Sequence, residues 1–153
     1  MKKQFTAKMH FEPVKNAPAD TVLPVRKTKY SAGYDFYLPE TITIPAHGCT
    51  HNIPLNIKAI MSSNFYLQLY IRSSMAVNMS LVLETSGVID ADYANNPDND
   101  GNICIKLRNN SDENVTLEKG TRICQGIFQR YFVVENDITN SIRCGGYGST
   151  GVK

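Results

Sequence analysis

No apolar run in this sequence approaches the roughly 20 residues that a membrane-spanning helix needs. The first residues, MKKQF, lead into alternating polar and apolar positions rather than into the apolar core of a signal peptide. These two absences predict a protein without a membrane partner, located in the cytoplasm.

The sequence also lacks a marked excess of charge of either sign. Its formal net charge is +2, and charged residues make up 20% of its 153 residues. The densest basic stretch, RKTK at residues 26–29, is too short to follow a nucleic-acid backbone, because isolated clusters of this kind are usually solvated surface. Nucleic acid is therefore not an expected partner.

The four cysteines form no C-x-x-C pair, and three of them stand in apolar, strand-like sequence, which favours free buried thiols over zinc ligands or disulfides. No cluster of His, Cys and Asp has metal-ligand spacing either. We therefore expect that any divalent ion is bound together with a substrate and is not caged by protein ligands.

Apolar residues recur at every second position in four stretches, which is the pattern of half-buried strands. These stretches are residues 50–57, 65–71, 102–107 and 122–134. Turn residues separate them, and only residues 73–77 favour a short helix. The chain is predicted to be all-β, with residues 1–153 forming a single domain.

Two further stretches match known loop patterns without fulfilling them. Residues 146–151 match the dinucleotide-binding pattern GxGxxG. That pattern has to be followed by a helix, and the two residues that follow it in this sequence are too few to form one. Residues 96–107 begin like a calcium-binding loop, yet its twelfth position is Leu107 and no helices flank it. Both matches are rejected, and residues 143–153 are predicted to be a flexible lid.

Two segments carry residues suited to phosphate chemistry. Asp90 ends the apolar run GVI, and Asp92 lies two positions on, so both carboxylates face the same side of an extended chain. The segment of Arg72, Ser73 and Ser74 offers a cation, hydroxyls and backbone N–H groups to phosphate oxygens. On residue type alone, Asp90 is more often a turn residue and a serine pair more often a helix cap.

Five segments, in order along the chain, resemble the five motifs of the trimeric dUTPase family. They are residues 32–36 (AGYDF), 72–76 (RSSMA), 87–93 (GVIDADY), 120–125 (GTRICQ) and 143–151 (RCGGYGSTG). Any single segment is weak evidence, whereas all five in sequence are a strong signal. The resemblance implies a distorted jelly-roll or β-barrel-like fold with one short helix, and a homotrimer in which the C-terminal tail reaches a neighbouring subunit.

The same resemblance implies hydrolysis of dUTP to dUMP and pyrophosphate, which limits uracil incorporation into DNA and supplies dUMP for dTMP synthesis. Asp90 would activate the attacking water, Tyr93 would exclude a ribose 2′-hydroxyl, and Asp35 would contact Mg²⁺ through a water. Ser73 would donate to the oxygen bridging the α- and β-phosphates. The other implied substrate contacts are Arg72, Ser74, Gly87, Ile89, Gln125, Arg143, Tyr147, Gly148, Ser149 and Thr150.

The resemblance also implies how three subunits share one site. One subunit would supply Asp35, Arg72, Ser73 and Gln125, another Asp90 and Tyr93, and the third its tail. Arg122 is expected to be structural.

The sequence departs from the family pattern at several points. Glu84 stands where bacterial relatives often have Asn, residues 95–100 are extra, Tyr147 replaces a Phe that stacks on uracil, and the last motif is one residue short. A dCTP deaminase is the rival enzyme, but Lys106 occupies the place of its catalytic Glu. A nucleotide-sensing module that controls a regulatory protein partner is the alternative of another class.

Overall fold

The computed structural model describes residues 8–147. Within them the chain forms short β-strands, one α-helix and one 3₁₀ turn. The strands are β1 (His10–Pro13), β2 (Tyr34–Tyr37), β3 (Ile42–Ile44), β4 (Ile53–Pro54), β5 (Ile57–Ile60), β6 (Phe65–Ile71), β7 (Leu81–Leu83), β8 (Val88–Asp90), β9 (Cys104–Ile105), β10 (Leu107–Asn109), β11 (Val115–Leu117) and β12 (Arg122–Arg130). Helix α1 spans Ser73–Met79, and the 3₁₀ turn spans Ala91–Tyr93.

An antiparallel sheet of four strands, in the order β2-β12-β6-β8, positions most of the residues discussed below. Strand β12 pairs with β6 from Cys124↔Ile71 to Arg130↔Phe65. The remaining strands form two-stranded pairs: β1 with β5, β3 with β11, β4 with β9, and β7 with β10. The pairings among residues 8–147 leave these sheets open and do not close a barrel.

The core lies where the alternating strands turn their apolar sides inward. In β6 the side chains of Leu67 and Leu69 are 0% and 1% exposed. The side chain of Tyr70, on the other face of the strand, is 40% exposed. Gly126 of β12 faces this core, and a Cβ there would lie 2.9 Å from atoms of both Leu67 and Phe36. A glycine at this position therefore lets two layers of the core approach each other closely.

The predicted all-β class with one short α-helix is confirmed. The stretch 65–71 is the strand β6 as expected, and the helix at 73–77 extends two residues further, to Met79. The strand expected over 122–134 ends at Arg130, because residues beyond it leave the sheet: Phe132 is 83% exposed. The stretch 102–107 is divided between β9 and the first residue of β10.

In residues 8–147, no helix is both long and apolar enough to span a lipid bilayer. The cysteines at 49, 104, 124 and 144 are all free, as expected, but only Cys124 is fully buried.

Candidate functional site

Strand β8 ends at Asp90, and the 3₁₀ turn that follows brings Asp92 beside it. The guanidinium of Arg143 lies between the two carboxylates, 2.6 Å from Asp90 Oδ2 and 2.8 Å from Asp92 Oδ1. Both carboxylates stay more than half exposed, whereas the Arg143 side chain is 14% exposed. The hydrogen bond from Arg143 to Asp92 raises the pKa of the guanidinium, so Arg143 keeps its charge.

Tyr93 closes one side of this acidic turn. Its side chain is buried, and its hydroxyl donates to the carbonyl of Asn102 at 3.0 Å. The ring of Tyr147 lies 6.2 Å from the Tyr93 ring, tilted by 56°, and is still 64% exposed. We call Asp90, Asp92, Tyr93, Arg143 and Tyr147 the hairpin cluster.

The expectation that the tail reaches a neighbouring subunit stays a prediction. Residues 143–147 lie on the hairpin of their own chain, because the carboxylates of Asp90, Asp92 and Asp98 attract donors of the segment. Gly148, Ser149 and Thr150, which were expected to contact the phosphates, lie outside the described residues.

A second group, the arginine cluster, is assembled by three adjacent strands. Asp35 on β2 faces Gln125 on β12, and Arg72 follows the end of β6. The nearly buried carboxylate of Asp35 binds Arg72 Nε at 3.2 Å and the Nη1 atom of Arg122 at 2.9 Å. Asp35 therefore fixes two guanidinium groups, those of Arg72 and Arg122.

Ser73 and Ser74 begin helix α1 next to the arginine cluster. The N-cap position is Arg72, so neither serine fills the capping role that is usual for a serine pair. Ser73 is exposed and Ser74 half-buried. Their hydroxyls and the first backbone N–H groups of α1 are thus available beside the Arg72 side chain.

Gln125 extends the arginine cluster along β12. Gly33 is buried against it, and a Cβ at position 33 would lie 2.9 Å from Gln125 Cδ. The glycine of the AGYDF segment therefore makes room for the Gln125 side chain, which holds the amide beside Asp35.

The two clusters lie at opposite ends of β6. Asp90 pairs with Tyr66 near the start of the strand, whereas Arg72 and Ser73 follow Ile71 at its end. Tyr66 and Ile71 are five residue steps apart in this extended strand, which is roughly 17 Å at the usual rise per residue. Asp90 and Ser73 of the same chain therefore cannot contact the same phosphate group.

The segment expected to bind a base lies along β8. The side chain of Ile89 is buried, so Ile89 can offer only its backbone, and the carbonyl of Gly87 already accepts the Leu69 N–H at 2.9 Å. Glu84 makes a two-pronged ion pair with Arg108, at 2.9 Å and 2.7 Å. The hydrogen bonds from Arg108 lower the pKa of Glu84, so the carboxylate of this residue, which departs from the family pattern, is ionised.

Sequence reasoning missed three residues near the hairpin cluster: Asp98 and Asn99 of the extra segment, and Lys58, which binds that segment. Lys58 is buried in β5 and binds Asn95 and Asp100 of the extra segment. A lysine within the apolar run IKAI could have suggested a buried partner, because lysine is rarely buried unpaired. No sequence signal paired Asp98 or Asn99 with the tail or with Tyr93.

Within residues 8–147, no three or more His, Cys, Asp or Glu side chains converge in a way that could hold a metal ion. Asp35 is the expected contact to a metal-bound water; its Oδ2 atom accepts from Arg122, and its Oδ1 atom forms an ion pair with Arg72. A carboxylate oxygen has a second lone pair, so a water molecule can still donate to Asp35.

The chain is similar to known proteins over most of its length. The family model for dUTPase matches residues 19–152. The deoxyuridine 5′-triphosphate nucleotidohydrolase of Lactococcus lactis is 45% identical over 132 residues, which cover 84% of this chain and 87% of the relative. The enzyme of the same name from Helicobacter pylori strain P12 is 31% identical, covering 87% of this chain and 91% of the relative.

Solved structures show the same fold. The dUTPase from Streptococcus mutans is 38% identical with a TM-score of 0.76, covering 82% of this chain and 98% of that one. A mutant dUTPase from phage phi11 of Staphylococcus aureus, which coordinates a structural Mg(II) ion, is 18% identical with a TM-score of 0.71. That likeness covers 88% of this chain and 97% of the phage protein, and at this identity it concerns the fold alone.

The ion pairs of the arginine cluster should contribute measurably to the free energy of unfolding. Replacing Asp35 by Ala removes the shared acceptor of two partly buried guanidinium groups, so we expect the free energy of unfolding to fall by about 1–3 kcal/mol. Urea unfolding at one fixed protein concentration measures this change.

The matched control is Asp112→Ala, since Asp112 pairs with His47 at a fully solvated position. This control should unfold at nearly the wild-type urea concentration. An equal loss in the two variants would show that the Asp35 ion pairs do not stabilise the fold.

Proposed function

The chain belongs to the dUTPase family and is a dUTP diphosphatase, and we propose that Asp90 is the general base of its reaction. In this mechanism Asp90 takes a proton from a water that attacks the α-phosphorus, and pyrophosphate leaves as dUMP forms. One observation carries the proposal: Asp90 is a half-exposed carboxylate, fixed at a strand end and held within 2.6 Å of a guanidinium. A general base needs this combination of fixed position and access to water.

Arg143 has two roles in the proposal. Without a nucleotide it pairs with both Asp90 and Asp92. A bound triphosphate offers several anionic oxygens to the same fork of N–H donors, and phosphate oxygens match that fork well. Transfer of Arg143 to the γ-phosphate would release Asp90 to act on water at the moment when the substrate is in place.

The arginine cluster is the proposed phosphate site. Asp35 holds Arg72 in position, and Ser73 is exposed beside it at the start of α1. Ser73 would donate to the oxygen that bridges the α- and β-phosphates, where negative charge develops as the bond breaks. Ser74 and Gln125 would bind further phosphate oxygens, together with Gly148, Ser149 and Thr150 of the tail.

Tyr93 is the proposed gate against ribose. Its ring is buried and its hydroxyl is bound to the backbone of Asn102, so the ring cannot move aside to admit a 2′-hydroxyl. Backbone groups of Gly87 and Ile89 would contact the uracil, and Tyr147 would stack on it. The position of Tyr147 supports this, since its ring lies 6.2 Å from the ring of the proposed sugar gate, Tyr93.

Magnesium would arrive with the triphosphate in this scheme, because the residues described offer no cage of protein ligands. When bound, the ion would neutralise charge on the phosphate oxygens. Asp35 would accept a hydrogen bond from a water bound to the ion. Its two arginine contacts fix the carboxylate in one orientation for that purpose.

We propose a homotrimer because the two clusters lie at opposite ends of β6. A complete site needs Asp90 of one chain beside Ser73 of another. The exposed apolar side chains that follow β12 support such an assembly, since Phe132, Val133 and Val134 are 68–83% exposed in the single chain. A large apolar stretch of this kind commonly marks an interface.

The base is tested by Asp90→Asn, which keeps the shape of the side chain and removes its ability to take a proton. Pyrophosphate release from dUTP with magnesium should fall by about a thousandfold or more, while dUMP binding by calorimetry persists. Glu135→Gln, a similar change on an exposed residue, serves as the control. Turnover near the wild-type rate in Asp90→Asn would remove Asp90 from the role of base.

Sharing of the site between chains is tested by mixing two inactive variants, Asp90→Asn and Ser73→Ala, after joint refolding. Each mixed trimer then contains sites that take intact Asp90 from one chain and intact Ser73 from another. Activity should return to about a quarter of the wild-type value at equal proportions. A mixture that stays inactive although the chains assemble together would contradict shared sites.

The sugar gate is tested by comparing kcat/KM for dUTP and UTP. The wild-type protein should prefer dUTP by roughly a hundredfold, and Tyr93→Ala should reduce the preference by opening space for the 2′-hydroxyl. Tyr30→Ala, at an 88% exposed tyrosine, should leave the preference intact. Equal preferences in wild type and Tyr93→Ala would assign sugar selection to other residues.

A further inference from the structure

The extra segment at residues 95–100, which we call the insert, is a loop closed on itself by hydrogen bonds. The buried side chain of Asn96 is its centre: Oδ1 accepts the N–H groups of Asp98 and Asn99, and Nδ2 donates to the Tyr93 carbonyl at 2.7 Å. Such internal bonds replace the sheet pairing that the loop lacks. The insert therefore has a defined shape.

The insert is also fastened to the body of the protein. Lys58 Nζ donates to Asn95 Oδ1 at 2.7 Å and to Asp100 Oδ2 at 3.0 Å, and the Lys15 N–H donates to Asp100 at 2.7 Å. Gly101, at φ +80°, ends the loop where a Cβ would lie 2.6 Å from Ala94 Cα. These contacts fix the insert at both ends.

One side of the insert contacts the proposed sugar gate. Asn99 Nδ2 donates to the Tyr93 hydroxyl at 2.8 Å, while that hydroxyl donates to the Asn102 carbonyl. Asn99 Oδ1 accepts from Gly101 N–H and from Asn96, which leaves the amide a single orientation. The insert thus holds the polar end of Tyr93.

Another side of the insert contacts the C-terminal segment, residues 143–147. Asp98 Oδ2 accepts the Gly146 N–H at 2.8 Å, and Gly146 lies so near Asn99 that a Cβ would be 3.2 Å from its Nδ2 atom. Arg143 is bound to Asp90 and Asp92 three residues earlier. The segment is therefore held on both sides of residues 144 and 145, with Tyr147 placed over Tyr93.

We propose that the insert is the dock for the C-terminal segment, with Asp98 as the positioning residue that places Tyr147 at the base pocket. The inference rests on the proposed function, in which Tyr147 and the tail close over the nucleotide. Asp98 touches neither substrate nor reacting atoms in this role. Asp98 acts through its hydrogen bond with Gly146. Asn99 binds Tyr93, so the insert holds both the C-terminal segment and the proposed sugar gate.

Docking can be measured without any nucleotide. The sequence contains no tryptophan, so Tyr147→Trp introduces a single fluorescent reporter on the segment. In this background Asp98→Ala should lower the steady-state anisotropy of Trp emission, because the segment loses its acceptor. Asp98→Asn keeps an acceptor oxygen and should retain most of the anisotropy, and Asp112→Ala controls for loss of an exposed acid.

Kinetics provide the second readout. Asp98→Ala should lower kcat/KM for dUTP about tenfold, which corresponds to loss of one hydrogen bond to a charged group, and Asp98→Asn should recover most of it. In a protein lacking residues 145–153, the same substitution should cause no further loss, since nothing remains to dock.

The proposal that the insert docks the C-terminal segment would be wrong if Asp98→Ala left the anisotropy unchanged. It would also be wrong if Asp98→Ala lowered kcat/KM equally in the truncated and the full-length protein. Failure of the proposed function has a different signature. The wild-type protein would then release no pyrophosphate from dUTP, whatever the anisotropy of the Trp variants shows.

Discussion

Strand β6 sets the constraint on which the proposed chemistry depends. It is one of the two inner strands of the four-stranded sheet, and it keeps Asp90 near its first residues and Ser73 beyond its last one. Its side chains Leu67 and Leu69 are fully buried, so the strand cannot bend to bring the two ends together without exposing the core. A base and a phosphate site held this far apart can serve one substrate only if they belong to different chains.

Charge pairing gives each half of such a site a stable form in the absence of substrate. In the arginine cluster Asp35 pairs with both Arg72 and Arg122, and in the hairpin cluster Arg143 pairs with two acids. The pairs differ in exposure: Asp35 is nearly buried, while Asp90 and Asp92 are open to solvent. Exposed pairs contribute little to stability and exchange partners readily, which suits an arginine that has to move to a phosphate.

The sequence predicted those parts of the fold that follow from local alternation, and β6 is the clearest example because its period of two is unbroken over seven residues. It also placed the short helix correctly. It overestimated the length of β12, because the pattern of Phe132, Val133 and Val134 is typical of a strand, although no strand among residues 8–147 pairs with them. Exposed apolar residues of this kind cannot be told from a strand by periodicity alone.

The candidate site was predicted in its residues and only partly in its arrangement. Family-like segments indicated Asp90, Tyr93 and Ser73, yet their distribution over the two ends of one sheet follows from strand pairing, which no single segment encodes. The pairing of Asp35 with Arg72 and Arg122 likewise joins three strands that are far apart in the chain. Long-range pairing of this kind is decided by the whole core.

The insert shows why a loop that departs from the family pattern can still serve the site. Adding six residues to a loop whose ends are already close costs little loop-closure entropy. Ordering the backbone of the added residues is nevertheless unfavourable unless hydrogen bonds offset the lost conformational entropy. Asn96 supplies bonds inside the loop, and Lys58 supplies bonds to the body. Asn99 takes part in this ordering through its Oδ1 atom, whereas the Asp98 carboxylate does not. The Asp98 carboxylate and the Asn99 Nδ2 group therefore meet the tail and Tyr93, and an ordered loop presents them at fixed positions.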